Sequence, residues 1–339
     1  MSCNRNRVYL PFNFPGSSQG SRTLLTGIRK CKCDYIITGF YEYPDTDLIP
    51  ASFIYKGDLL GKGKWYTLNF PSSQGNTVTS TNLYGPDVYH CSPSDCSYND
   101  PYYQFVGNYT ILEQTGTFGC LYQGPLSGGG KWTKIVPTPL STEPILNTIC
   151  HSVMDDVVVG NYDTLLIQGR AFLYQISTGR YYDIRSPGAI SITAYGVWKN
   201  CNGSYTIAGG NVNESDPLRE VGYLVDWFEE SFENWSFYQF NQSALALVTH
   251  FDGISYNDSI YSLTGDYVIP GVGAQAFYAQ VKRQKRNQFS KRAYWETLTI
   301  EGANGVSGNS VSGNVVIGVY DNISDLTTVN GYVSFLLIK

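Results

Sequence analysis

The chain has 339 residues, a formal net charge of −5 and 15% charged residues, with 28 Tyr, 35 Gly and eight Cys. The acidic balance argues against nucleic acid as a partner, and the Cys content is far below that of a disulfide scaffold. No apolar run reaches the roughly 18 to 20 residues that cross a bilayer, and the first residues lack a secretion signal. The sequence therefore predicts no membrane partner and favours a soluble intracellular protein, in the cytoplasm, the nucleus or a virus particle.

Short apolar stretches between Gly, Pro, Asn and Asp predict β-strands, and long windows with helical periodicity are missing. The first two sets in chain order are SRTLLTGI, DYIITGFY, SFIYKG and WYTLNFP, then NTVTSTNLYG, YQFVGNY, GCLYQG and WTKIVP. The next two contain VVVGNYD, AFLYQIS and YYDIRSP, then ITAYGVW, YTIAGGN, GYLVDWF and WSFYQFN. The last two contain VTHFDGI, YSLTGDY, QAFYAQV and YWETLTI, then NSVSGN, VVIGVYD and GYVSFLL, without a fourth strand. The chain is therefore predicted to be all-β.

A glycine closes the second strand of each set, which marks six units: Gly39, Gly107, Gly160, Gly209, Gly265 and Gly318. Four-stranded units that recur about every 50 residues are typical of a β-propeller, whose blades pack around an axis. We predict one six-bladed propeller domain over residues 1–339, with four antiparallel strands in each blade. The predicted blades are approximately 21–71, 76–137, 141–187, 190–241, 244–302, and 307–339 together with 7–14. The alternative is a β-sandwich in which the similarity between sets is accidental.

The phrase NFPGSSQG at 13–20 returns as NFPSSQG at 69–75. The second copy follows a fourth strand, so the first copy should follow one too. Residues 7–14 would then supply the missing strand of the last blade and pair with 331–337, which removes an exposed edge and ties both chain ends into the ring. Pro11 suits an outermost strand, where a missing N–H costs no ladder hydrogen bond.

The unit VVVGNYD with AFLYQ and YYDI, residues 157 to 183, carries a family resemblance. It is similar to the HAF repeat, which runs from a Gly-Ile-Asn turn through Val-Val-Gly to Ala-Phe-Leu-Tyr and an Asp-Leu ending. Fragments of that turn stand at Gly27-Ile28 and Gly253-Ile254. The resemblance implies a propeller and no particular activity.

Cysteines and histidines gather in the predicted connections between first and second strands, which share one face of a propeller. This set comprises Cys31, Cys33, His90, Cys91, Cys96, Cys150, His151 and Cys201. Thiolate and imidazole groups are zinc ligands, but no C-x-x-C pair occurs, so disulfides and free thiols are the alternatives. The spacing of Cys91 and Cys96 makes them the best disulfide candidates, because a short polar insertion can bring their Cα atoms within bridging distance.

Two charged groups of loop residues are candidate binding surfaces. A basic run between the third and fourth strands of the fifth blade could contact an anionic partner: Lys282, Arg283, Lys285, Arg286, Lys291 and Arg292. Carboxylates near the connections from second to third strands give the opposite face an acidic rim that could hold Ca²⁺: Asp45, Asp47, Asp163, Glu214, Asp216, Asp266, Asp321 and Asp325. Solvated loop residues are the simpler explanation of both groups.

Specific catalytic motifs are absent from the sequence. It contains no H-E-x-x-H, no G-x-S-x-G and no phosphate-binding loop, and GVGAQA at 271–276 lacks the helix that a dinucleotide site needs. The sequence therefore assigns no catalytic residue and no cofactor, and it favours a non-catalytic scaffold that binds proteins through a face or rim. The alternatives are a propeller hydrolase or lyase with carboxylates at the channel mouth, and a virus particle or coat component.

Overall fold

The structure is a computed structural model that describes residues 7–44, 50–89, 102–284 and 288–336. Within these ranges the chain is all-β and forms five sheets in a β-propeller arrangement, which confirms the predicted class. The single helical element there is a 3₁₀ turn at Thr138–Leu140. None of the described residues form a helix with the length and apolar content that a membrane span requires.

The strands follow one another along the chain with short connections. They are β1 (Arg7–Pro11), β2 (Arg22–Cys31), β3 (Asp34–Glu42), β4 (Ala51–Gly57), β5 (Gly63–Thr67), β6 (Val78–Tyr89), β7 (Tyr102–Ile111), β8 (Phe118–Gly124), β9 (Lys131–Ile135), β10 (Ile145–Met154), β11 (Val157–Thr164), β12 (Arg170–Gln175), β13 (Arg180–Ile184), β14 (Ala189–Ile192), β15 (Gly196–Lys199), β16 (Tyr205–Asn213), β17 (Asp216–Phe228), β18 (Ser231–Tyr238), β19 (Val248–Asn257), β20 (Ile260–Ile269), β21 (Gly273–Lys282), β22 (Tyr294–Leu298), β23 (Ala303–Ser312), β24 (Val315–Asn322) and β25 (Asp325–Leu336).

Neighbouring strands pair antiparallel in chain order within each sheet. The sheets are β6 to β9, β10 to β13, β14 to β18 and β19 to β22, and an eight-stranded sheet that contains both chain ends. In the eight-stranded sheet, β23, β24, β25 and β1 form one part and β2 to β5 form the other. A single parallel residue pair, Arg22 with Val329, joins the two parts.

The N-terminal strand closes the sheet as the repeated phrase predicts. β1 pairs antiparallel with β25, with Arg7 opposite Leu336 and Pro11 opposite Tyr332, which confirms the predicted pairing of these two segments within the described residues. Side-chain contacts hold this segment in addition to its backbone hydrogen bonds. Arg7 Nε lies 2.9 Å from Glu296 Oε1, and the buried ring of Phe12 packs against aromatic side chains of the β2–β5 part.

The core lies between neighbouring sheets, and each sheet is covered on both faces. Val106 of β7 packs with Val158 of β11, and Leu173 of β12 packs with Val225 of β17. This two-sided burial explains why second and third strands such as VVVG and AFLY are apolar at consecutive positions instead of alternating. The Gly-Ile fragments at 27–28 and 253–254 lie inside β2 and β19, within the predicted strands SRTLLTGI and VTHFDGI.

Candidate active site in the central cavity

A close approach between first and second strands recurs around the molecule. At each second-strand glycine, an added Cβ would overlap a carbonyl oxygen of the first strand, so only glycine fits. The glycine and carbonyl pairs are Gly39 with Leu24, Gly107 with Asn82, Gly160 with Ile149, Gly209 with Thr193, Gly265 with His250, and Gly318 with Ser307. The first strand is thereby held at the same height in every set.

The residue two positions after each of these carbonyls faces one central cavity of about 200 Å³. The six residues are Thr26, Tyr84, His151, Tyr195, Asp252 and Asn309. β-Bulges explain their direction in most strands, since the pairing skips Thr26, His151, Asp252 and Asn309. A bulge leaves its extra residue out of the ladder and turns it away from the partner strand. Tyr195 lies in the gap between β14 and β15, where the ladder is interrupted.

One wall of the cavity is aromatic and neutral. The His151 ring lies edge-on between Tyr84 and Tyr195, with ring centroids 5.1 Å and 4.5 Å away. Burial lowers the pKa of His151 to about 3, so its imidazole carries no charge at neutral pH. Burial also raises the pKa of each of the two tyrosines to about 12, which keeps their hydroxyls protonated. This wall can therefore offer neutral hydrogen-bonding groups to a bound molecule.

A charged wall begins at Asp252, which lines the cavity, and continues behind it through His250, Asp266 and Glu220. His250, Asp252 and Asp266 each place one nitrogen or oxygen atom within 4.8 Å of the other two. His250 Nε2 lies 3.4 Å from Asp252 Oδ2, and His250 Nδ1 lies 3.6 Å from Glu220 Oε1. Burial alone would lower the pKa of His250, but the carboxylates of Asp252 and Glu220 outweigh it, so this pKa lies well above its usual value. The imidazole is therefore positively charged between two acids.

Asp266 is held in place by donors from the next sheet. Its Oδ2 accepts a hydrogen bond of 2.9 Å from Ser307 Oγ, and its Oδ1 accepts one of 3.0 Å from the Gly308 amide. Burial, reinforced by the nearby Asp252 carboxylate, raises the pKa of Asp266 to about 6. A carboxyl group with this pKa can take up and release a proton close to neutral pH.

The predicted cysteine and histidine face is not assembled by the described residues. Cys31 is in a disulfide, and Cys33 and Cys201 are exposed free thiols. Cys150 and His151 lie inside β10 and not in a connection between strands. Cys150 is buried in the core, whereas His151 faces the cavity. The predicted zinc ligands therefore point in different directions. His90, Cys91 and Cys96, including the disulfide candidate pair, lie outside the described residues.

Arg283 does not belong to an exposed basic surface. Its guanidinium donates two hydrogen bonds to the Asp226 carboxylate, of 3.1 and 2.8 Å, and lies over the Phe289 ring. Only 9% of its side chain is exposed, so the prediction that it meets an anionic partner is wrong for this residue. Lys282, Lys291 and Arg292 are exposed. Lys285 and Arg286 lie outside the described residues.

Most described members of the predicted acidic rim hold local turns. Asp163 accepts a hydrogen bond from the Gly169 amide, Asp321 from the Gly305 amide, and Asp325 from Thr327, while Asp216 pairs with Arg219. Glu214 is exposed. Asp45 and Asp47 lie outside the described residues. Asp266 alone among the described members joins the charged wall, from inside β20.

A repeated dipeptide could have located the cavity from sequence. The cavity residue precedes a glycine in Thr26-Gly27, Tyr84-Gly85, Tyr195-Gly196 and Asp252-Gly253, and it precedes a serine in His151-Ser152 and Asn309-Ser310. Because neighbouring first strands touch at these small residues, as Gly85 does at Ser152, the pattern marks the axis. Neither this dipeptide nor His250 and Glu220 was among the residues predicted from sequence.

Solved structures with similar folds include the native arabinanase Arb43A of Bacillus subtilis, with 12% identity, coverage of 92% of this chain and 93% of that one, and a TM-score of 0.42. A subtype N11 neuraminidase-like protein of A/flat-faced bat/Peru/033/2010 has 11% identity, coverage of 99% of this chain and 94% of that one, and a TM-score of 0.47. An oligogalacturonate lyase in complex with manganese has 11% identity, coverage of 98% of this chain and 98% of that one, and a TM-score of 0.44. At these scores the structures carry no argument about what this chain binds. No family model and no curated protein match the chain, so the HAF resemblance is unconfirmed.

The two cavity histidines should hold opposite charge states. Between about pH 5 and 8, where an ordinary imidazole titrates, nitrogen NMR of protein freed of metal by chelation should show His151 neutral throughout and His250 still protonated above the pH at which an ordinary imidazole loses its proton. His151→Gln and His250→Gln variants assign the two signals by their loss. A full titration of either signal with a midpoint near about 6.5, the unperturbed value, would contradict the described environment.

Proposed function

We propose that the chain is a propeller enzyme, a hydrolase or a lyase, that uses the carboxylates of the central cavity for proton transfer. The observation that carries this proposal is the convergence of His250, Asp252 and Asp266 within 4.8 Å beside a cavity that Asp252 lines. Carboxyl groups with raised pKa values in a concave site are typical of acid–base catalysis. A surface used only for protein contacts has no need of such a group.

The roles of the charged residues follow from their charge states. With its pKa of about 6, Asp266 is mostly ionised at neutral pH and can accept a proton from a water molecule or from a substrate carbon, then return it to the leaving group. The charged His250 imidazole stabilises negative charge that develops on the substrate. Tyr195 and His151, on the neutral wall, orient the polar groups of the substrate.

The enzyme proposal predicts loss of turnover when the cluster is neutralised. On panels of chromogenic esters and glycosides, and on uronate polymers for elimination, the parent protein should turn over at least one class. Asp266→Asn should lower that rate by about 100-fold or more, the usual scale of a lost acid–base group. The matched control is Asp163→Asn, which removes a carboxylate outside the cavity and should leave the rate unchanged. Absence of turnover on both panels, or equal rates in all three proteins, would overturn the proposal.

The architecture that supports this site is, in our proposal, a ring of six blades, with the eight-stranded sheet counted as two. Side chains and small residues connect the first strands in a closed circuit of six contacts. In chain order, Thr26 Oγ1 donates to the Leu83 carbonyl, Gly85 meets Ser152, the His151 ring meets the Tyr195 ring, Gly196 meets Ile254, Gly253 meets Ser310, and Asn309 Nδ2 donates to the Leu25 carbonyl. The single pair Arg22 with Val329 is too small a ladder to make the two parts one blade. A crystal structure with fewer or more than six first strands around the axis would refute the count.

A protein-binding scaffold is the second candidate, because aliphatic side chains project from the face near the cavity. Exposed aliphatic residues occur in the described connections between second and third strands, namely Leu112, Leu165, Leu166, Val272 and Ile323, and at the start of two third strands, namely Leu218 in β17 and Leu326 in β25. Exposed apolar surface of this kind is typical of contact sites. An intracellular location, a particle or coat role, and an anionic partner for the 281–292 loop stay predictions.

The scaffold candidate predicts partner loss without loss of folding. In pull-downs from the native source, Leu166→Ser with Leu218→Ser should lose bands that the parent captures. Leu60→Ser is the matched control, since Leu60 is similarly exposed but lies between third and fourth strands, on the other face. Identical bands from all three proteins would rule out this face as a docking surface.

A further inference from the structure

The charged wall has the composition and spacing of a metal site. His250 offers an imidazole nitrogen, and Asp252 and Asp266 offer carboxylate oxygens, within 4.8 Å of one another. Zinc bonds to these atoms are about 2.0 to 2.2 Å long, which in a tetrahedral site places ligand atoms about 3.4 Å apart. Small side-chain shifts therefore suffice to bring all three atoms onto one ion.

The groups behind the three residues are arranged as they are behind metal ligands. Histidine ligands almost always donate their second ring N–H to a carboxylate, which fixes the tautomer and orients the ring. Glu220 Oε1 lies 3.6 Å from His250 Nδ1, and this leaves Nε2 on the side of Asp252 Oδ2, 3.4 Å away. Asp266 is oriented by Ser307 and the Gly308 amide. The residues that orient the three candidate ligands thus come from β17 and β23, outside the strands β19 and β20 that carry the ligands.

The cluster is also rich in carboxylates. Those of Glu220, Asp252 and Asp266 lie around one imidazole, and all four side chains are at least partly buried. The described residues that line the cavity include no Lys and no Arg. Clustered carboxylates away from bulk water repel one another unless a positive charge or a proton compensates. A divalent ion bound between the carboxylates would reduce this repulsion.

We propose that His250 Nε2, Asp252 and Asp266 bind one divalent transition-metal ion, Mn²⁺ or Zn²⁺, with its remaining positions open to the cavity. Mixed imidazole and carboxylate ligands suit these ions, whereas Ca²⁺ prefers oxygen ligands alone. The site is distinct from the cysteine and histidine cluster that the sequence suggests. Its part in turnover rests on the proposed enzyme function. With an ion bound, His250 and Asp266 would be ligands, so the ion and its bound water would take over from the imidazolium and the free carboxyl group by polarising a substrate oxygen or activating water. The binding of metal by these residues does not rest on the enzyme function.

The test is a titration with the metals alone. Protein freed of metal by chelation is titrated with MnCl₂, ZnCl₂ and CaCl₂ by calorimetry, and near-UV circular dichroism checks folding. The parent should bind about one equivalent of Mn²⁺ or Zn²⁺ and bind Ca²⁺ more weakly. Asp266→Asn should weaken binding by at least about 100-fold, and Glu220→Gln by about 10- to 100-fold, the usual effect of a lost second-shell partner. Asp163→Asn should bind as the parent does.

The outcomes separate this site from the enzyme proposal. Less than one equivalent of either metal bound by the parent overturns the site, and so does unchanged affinity in both Asp266→Asn and Glu220→Gln. If Asp266→Asn fails to fold, Glu220→Gln still decides, because it leaves all three ligands in place. If the protein binds metal but turns over no substrate on either panel, the metal site stands and the enzyme proposal fails. If chelated protein shows full turnover and binds no added metal, the enzyme proposal stands and the metal site fails.

Discussion

The contact between a second-strand glycine and a first-strand carbonyl is the constraint on which the other features depend. Near the axis of a propeller the strands of one sheet and the first strands of its neighbours share little space. Where Gly265 passes the His250 carbonyl, and at the five equivalent places, a side chain would occupy the volume that the carbonyl needs. The glycines therefore fix the height of each first strand, and the bulge that follows turns one residue toward the axis.

This geometry lets a small number of side chains make a site. Residues that are isolated in their own strands meet around one cavity, and the charged wall forms because His250 and Asp252 share a strand while Asp266 and Glu220 come from strands beside it. Half-buried carboxylates are costly unless compensated. Their accumulation beside a cavity is best understood as a requirement of function, because packing alone would be served equally well by apolar residues.

Local sequence patterns were sufficient for the fold class and for the pairing of β1 with β25, because turn residues, strand glycines and a repeated phrase are short-range signals. The site was not predicted from the sequence, and the reason is physical. Cys150 and His151 were predicted in a connection, yet both lie in β10, where Cys150 is paired with Gly160, and the bulge carries the ladder past His151 and sends the two adjacent side chains to opposite sides. Arg283 read as solvent-exposed, whereas its partner Asp226 is far away in sequence. Such pairings follow from register, which residue types alone do not specify.

The most direct measurement of the central claim is the free energy of unfolding of Gly265→Ala, from urea denaturation, beside that of Gly305→Ala. An alanine at 265 would overlap the His250 carbonyl, whereas at 305 its Cβ meets only the Asp321 carboxylate end, 3.2 Å away. We expect Gly265→Ala to lose more than about 3 kcal/mol, as overpacking against backbone does, and Gly305→Ala to change by less than about 1 kcal/mol. Equal stability of the two variants would contradict the account.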